Sequence, residues 1–127
     1  MKNLANCTPT ELLKQAVRIR EPLRSWLEAT GAKEIRARRP DGMALPEDPS
    51  EWTEEQRAAL MKQARENTRD IVAAALEKDF EGTVNLMCLA TFTERDDFDD
   101  HSLSEYIDAI NEIMKSGEVR DFFTLYL

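Results

Sequence analysis

Apolar side chains recur along this chain at helical spacing in several separate stretches. Leu12, Ala16, Ile19, Leu23 and Trp26 step by four and three, and Leu13, Val17 and Leu27 widen the same face, which predicts an amphipathic helix over about residues 9–30. Thr8-Pro9-Thr10-Glu11 marks its start: Thr8 caps, Pro9 loses an N–H that had no partner anyway, and Glu11 completes a capping box. Gly31 supplies the stop. Pro22 interrupts the pattern, since it removes a backbone donor and crowds the carbonyl four residues back, and it predicts a kink or break near residues 18–22.

Between residues 32 and 52 the periodicity disappears, and Pro40, Gly42, Pro46 and Pro49 punctuate a polar linker. Pro40-Asp41-Gly42 is a turn signal, and two readings stay open for residues 34–46: a short β-hairpin pairing Ile35 and Ala37 with Met43 and Leu45, or an irregular loop.

Thr53-Glu54-Glu55-Gln56 is a second capping box opening a long helix. Leu60, Ala64, Ile71 and Ala75, with Met61, Val72 and Leu76 beside them, form its apolar stripe, interrupted midway by Asn67 and Thr68, a polar spot expected to be satisfied internally. Gly82 is the expected stop. Thr83 then caps a segment from Val84 to Phe92 with almost no polar face, expected to be helical and the most buried element. After an acidic loop at residues 94–100, Ser102-Leu103-Ser104-Glu105 is a third capping box, opening a helix through Lys115 that Gly117 closes. Its stripe is Leu103, Tyr106, Ile107, Ile110, Ile113 and Met114. Phe122, Phe123, Leu125, Tyr126 and Leu127 crowd the final stretch, which must be covered by the protein's own core or by a partner. These five are the sequence's candidates for partner binding.

The resulting expectation is an all-α protein, a compact bundle of four to six helices forming one domain over residues 1–127. It has an N-terminal helix at about 9–30, a linker at 32–52 and a helical core at 53–127. A chain of 127 residues buries roughly two thirds of its unfolded surface, enough for a core of its own.

Charge changes the picture of partners. Residues 1–45 carry 9 Lys and Arg against 5 Asp and Glu, whereas residues 46–127 carry 8 against 20. Nucleic acid is not expected as a partner, because phosphate binding rests on cationic side chains displacing counterions. The cluster of Lys33, Arg36, Arg38 and Arg39 reads as a solvated loop. No run approaches the roughly 18 apolar residues of a membrane span, and the first residues lack a signal peptide's apolar region, so a cytoplasmic protein with no membrane partner is expected. Cys7 and Cys88 suit neither a disulfide framework nor a zinc site.

Chemistry is sparse. His101 stands near Asp96, Asp97, Asp99 and Asp100, yet a calcium loop counted from Asp96 needs Gly at the sixth position and Glu at the twelfth, where this chain has His101 and Ile107. There is no nucleophile elbow or phosphate-cradling glycine loop. The expectation is a non-enzymatic protein with no metal and no cofactor. Trp26 reads as a core anchor and Trp52 as a helix-entry staple, with a binding hot spot as the alternative for either.

Two stretches add a family likeness. The opening Asn3-Leu4-Ala5-Asn6-Cys7-Thr8-Pro9-Thr10-Glu11-Leu12-Leu13 with Gln15 and Ile19-Arg20, and the closing Ser104-Glu105-Tyr106 through Phe122-Phe123-Thr124-Leu125, resemble small tail assembly chaperones of long-tailed phages and prophages. The resemblance implies a helical protein in the bacterial host's cytoplasm that coats the tape-measure protein during tail assembly, engages tail-tube subunits, self-associates and catalyses nothing. The acidic C-terminal two thirds supports a second expectation, a small regulatory or nucleic-acid-mimic protein that occupies a host protein.

Overall fold

A computed structural model describes residues Met1–Leu127. About 75% of them are helical and none lies in a strand. The α-helices are α1 (Pro9–Thr30), α2 (Ala32–Arg36), α3 (Glu54–Lys78), α4 (Phe80–Ala90), α5 (Leu103–Lys115) and α6 (Gly117–Tyr126). Short 3-10 helices at Pro49–Glu51 and Arg95–Asp100 bring the elements above the four to six expected. No helix is long and apolar enough to cross a membrane.

All three capping boxes form. Glu11 N donates to Thr8 Oγ1 at 3.2 Å while Thr8 N donates to the Glu11 carboxylate at 3.0 Å, and Thr53/Gln56 and Ser102/Glu105 reciprocate in the same way. At the third box the His101 ring and the Ser102 backbone N–H hold the Glu105 carboxyl below its ordinary value.

Several boundaries differ from the sequence reading. The break does not occur: α1 is assigned continuously through Pro22, and beyond it Leu23 packs against the core while the Trp26 indole donates to Thr83 Oγ1 at 2.8 Å. The long helix ends at Asp79, not Gly82, which lies inside α4. Gly117 likewise does not close α5: Ser116 caps the next helix, its Oγ accepting from Val119 N at 3.3 Å, and Gly117 is that helix's first residue. The hairpin at residues 34–46 does not exist. Ala32 and Ile35, three apart, are both buried on α2, so helical spacing prevails over the alternation that pairing with Met43 and Leu45 required. Asp41 and Gly42 do form a turn, with Gly42 at a left-handed φ of 68°.

The chain divides into two compact units. The first holds Met1–Trp26 and Phe80–Leu127. Its core is Leu4, Leu12, Ile19 and Val119, with Leu23, Leu86, Leu89, Phe92, Ile113 and Phe123 packed against it. The C-terminus of α4 is tied down by this unit's first residues. Its orphan carbonyls accept from Gln15 Nε2 (Leu89 O, 2.6 Å) and Leu4 N (Ala90 O, 3.1 Å), and Thr93 N reaches back to Cys88 O at 3.0 Å. Phe92 is the left-handed residue of this cap, at φ 53°, a conformation that costs a side-chain-bearing residue about 1–2 kcal/mol. Its packing against the core and the Lys2 ammonium 4.7 Å from its ring centre oppose that cost. Val84 and Cys88 of α4 are buried, and burial pushes the Cys88 thiol up.

The second unit, Leu27–Asp79, packs α2 on α3. Ala32, Ile35, Ala74 and Ala75 are buried there. Asn67, buried in the middle of α3, accepts from Gln63 Nε2 at 2.9 Å and donates to Arg38 O at 3.2 Å, so the interruption of the stripe is a satisfied polar spot.

Candidate protein-binding surface

The apolar stripe of α3 is wider than the face it buries. Asn67, Ala74 and Ala75 point inward, while Met61, Val72 and Leu76 are 59%, 53% and 53% exposed. At 100° per residue, Met61, Arg65, Thr68, Val72 and Leu76 fall on one row of the helix, about 22 Å long at 1.5 Å rise per residue, with the apolar side chains at its two ends and Arg65 and Thr68 between them. Two shallow recesses lie along it. Pro49, Ser50, Trp52, Arg57, Leu60 and Met61 line one, and Met61, Ala64, Arg65, Thr68 and Arg69 line the next, with Met61 common to both.

Local structure fixes the first of these recesses. Asp48 accepts from Ser50 N at 3.0 Å and starts the 3-10 turn at Pro49. The Trp52 indole donates to Pro46 O at 2.8 Å, and the Arg57 guanidinium donates to Pro49 O at 3.2 Å. Trp52 is therefore a held, half-buried ring on the wall of the first recess. Exposed apolar side chains interspersed with Arg57, Arg65 and Arg69 suit an amphipathic helix that carries carboxylates beside its apolar face.

The five C-terminal candidates separate into two groups. Phe123 packs against the core of the first unit, Phe122 stands edge-on to Phe123 at 5.5 Å and stacks on Tyr126 at 5.8 Å, and the Arg20 guanidinium lies 5.0 Å over Tyr126. These three rings are half-buried in internal contacts, whereas Leu125 is 89% exposed and Leu127 is also exposed.

The acidic segment is a 3-10 helix whose role in the fold is to carry Phe98 onto Tyr106. His101 Nδ1 lies 3.0 Å from Glu105 Oε2, and no three His, Cys, Asp or Glu side chains converge as a metal-ligand set. In the basic cluster, Arg38 pairs with Asp70 at 3.1 Å and Arg39 donates to the carbonyls of Arg36 and Arg38, all exposed.

The exposed apolar residues of α3 (Met61, Val72, Leu76) and of α5 (Leu103, Ile107, Met114) were not distinguished from core positions by the sequence pattern. Periodicity marks a residue as apolar without stating which part of a wide stripe a neighbour covers. Comparison of the chain with family models, with curated proteins and with solved structures finds no match.

Proposed function

We propose that this chain is a non-catalytic protein-binding protein, a phage or prophage tail assembly chaperone that holds a helical segment of the tape-measure protein along α3. The observation carrying the reading is the exposure of the large apolar side chains Met61, Val72 and Leu76 along one side of α3, with the shallow recesses lined by Trp52, Leu60 and Met61 and by Met61, Arg65 and Thr68 beside them. The likeness of the chain's two ends to tail chaperones supplies the partner's class. A tape-measure protein is long, helical and prone to aggregate, so a cover with exposed apolar side chains and a net charge of −8 keeps the complex soluble.

Co-expression with a phage tape-measure protein from the genome that encodes this chain tests the reading. Wild-type chain is expected to co-purify with it and raise its soluble yield. Met61→Asp with Val72→Asp, both at exposed positions, is expected to bind at least about tenfold more weakly while circular dichroism stays unchanged. Equal solubility of the tape-measure protein with and without the chain would sink the proposal. One observation favours a second reading: residues 94–121 carry ten Asp and Glu against Arg95, Lys115 and Arg120, the charge of a small acidic protein that occupies a host nucleic-acid-binding protein. Recovery of such a protein in a salt-sensitive pull-down, with no tape-measure binding, would select it.

A further inference from the structure

On α5, the buried residues Tyr106 and Ala109 and half-buried Ile113 occupy one side of the apolar stripe and leave the other side facing out. Leu103, Ile107 and Met114 stand there at 65%, 47% and 68% exposure, with half-buried Ile110 among them. These four fall at i, i+4, i+7 and i+11, a straight row about 16 Å long at 1.5 Å per residue, or about three helical turns. A row of that length and spacing matches the apolar face of a second helix.

The charge around the row is one-sided. Asp96, Asp97, Asp99 and Asp100 precede α5, Asp108 follows Ile107 on its polar side and Glu118 lies just beyond its end; all six are exposed and none forms an ion pair. Of the three cations in this segment, Arg95 is taken up by Glu81 at 3.4 Å and by the Phe98 ring at 5.6 Å, which leaves Lys115 and Arg120 against the carboxylates. A helix with carboxylates beside its apolar face is repelled from such a surface, and one with Lys or Arg there is drawn to it.

The chain's own exposed helix rows lack that chemistry. A second α5 sets carboxylate against carboxylate, and α3 carries five Lys and Arg against five Asp and Glu. On α1, which exposes Leu13 and Val17, the Arg20 guanidinium lies 5.0 Å over Tyr126 and Arg24 pairs with Glu21 at 3.3 Å. We infer that the α5 row docks a basic amphipathic helix of another protein, with apolar side chains laid along Leu103, Ile107, Ile110 and Met114 and Lys or Arg side chains turned toward the unpaired carboxylates. Three turns of helix make a small contact, so the dissociation constant is on the order of 10 μM. The contact uses no residue of α3 and does not rest on the tape-measure reading: either surface can fail to bind while the other binds.

Fluorescence anisotropy of a labelled synthetic peptide, titrated with the full chain, tests the inference. The probe is a helix of about 18 residues, five turns, with leucine at i, i+4, i+7 and i+11, lysine beside that row and alanine elsewhere; its counterpart has glutamate in place of every lysine. The lysine peptide is expected to bind, and to weaken about tenfold or more between about 0.05 and 0.5 M NaCl, while the glutamate peptide binds at least about tenfold more weakly than the lysine peptide. Ile107→Ser with Met114→Ser, which leaves the charge unchanged, is expected to weaken binding at least about tenfold, and Asp100→Asn with Asp108→Asn to weaken it about threefold and flatten its salt dependence. Leu13→Ser with Val17→Ser, at exposed apolar positions outside the row, is expected to bind like the wild type. All these positions are exposed, and circular dichroism with thermal melting checks that each variant folds. Equal affinity for the two peptides, or wild-type affinity in Ile107→Ser with Met114→Ser, would overturn the inference. So would sedimentation velocity showing a wild-type oligomer that this double variant dissolves, which would make a second copy of the chain the occupant.

Discussion

Replacing Tyr106 with alanine is expected to remove about 3–5 kcal/mol of stability, a large share of the roughly 5–15 kcal/mol available to a natural domain. Tyr106 is 1% exposed, stacks on Phe98 with ring centres 4.6 Å apart, meets the His101 ring edge-on, and donates its hydroxyl to Phe98 O at 2.8 Å. One side chain thus fastens the acidic 3-10 helix to α5, and its loss leaves a ring-sized cavity. Tyr106→Phe isolates the hydrogen bond and is expected to cost about 1 kcal/mol, at the low end because Phe98 O also accepts weakly from His101 N at 3.5 Å. Burial raises the phenol above its ordinary value of 10.0. Its contribution is therefore full below pH 10 and is lost as pH rises through the folded-state value, an alkaline loss that Tyr106→Phe abolishes. Urea unfolding at neutral and high pH measures both effects.

The second large effect is expected at Asn3, which is completely buried. Its Oδ1 accepts from Ala5 N at 2.7 Å and its Nδ2 donates to Glu112 Oε2 at 3.1 Å, while its own N–H donates to Asn6 Oδ1 at 2.8 Å. Asn3→Ala leaves the Ala5 N–H without its acceptor and Glu112 without its donor, at a cost of about 2–3 kcal/mol. Asn3→Asp keeps the Ala5 bond but sets a carboxylate against Glu112, and is expected to be the worse of the two. Adding Glu112→Gln to Asn3→Asp is expected to return at least about 1 kcal/mol, a coupling that a double-mutant cycle by urea unfolding reads directly. Equal losses in Asn3→Asp with and without Glu112→Gln would mean that the pair does not interact.

The role of Asn3 also marks where sequence reading stops. Thr8/Glu11, Thr53/Gln56 and Ser102/Glu105 are legible because a capping box is decided within four residues. Asn3 with Glu112, and Gln15 with Leu89 O, join positions 109 and 74 residues apart, and nothing local announces such partners. In the sequence both residues read only as part of a family likeness; in the fold they satisfy buried polar groups. Gly82 and Gly117 mislead for a related reason, since a glycine permits a helix to stop without requiring it, and Asp79 and Ser116 provide the actual breaks. Ile35 shows that an apolar residue beside a turn signal cannot announce whether its partner is a strand or a helix face. The apolar membership of Met61, Val72, Leu76, Leu103, Ile107 and Met114 was visible in the pattern. Their exposure was not, because it depends on how much of each wide stripe the neighbouring helices cover.

Those uncovered positions on α3 carry the functional reading, and hydrogen exchange on the purified chain, alone and with the tape-measure protein bound, tests it most directly. Backbone amides between Arg57 and Lys78 are expected to gain protection on binding, most strongly around Met61 and Val72. Protection confined to Val119–Leu127, or no change along α3 in a complex that demonstrably forms, would contradict it.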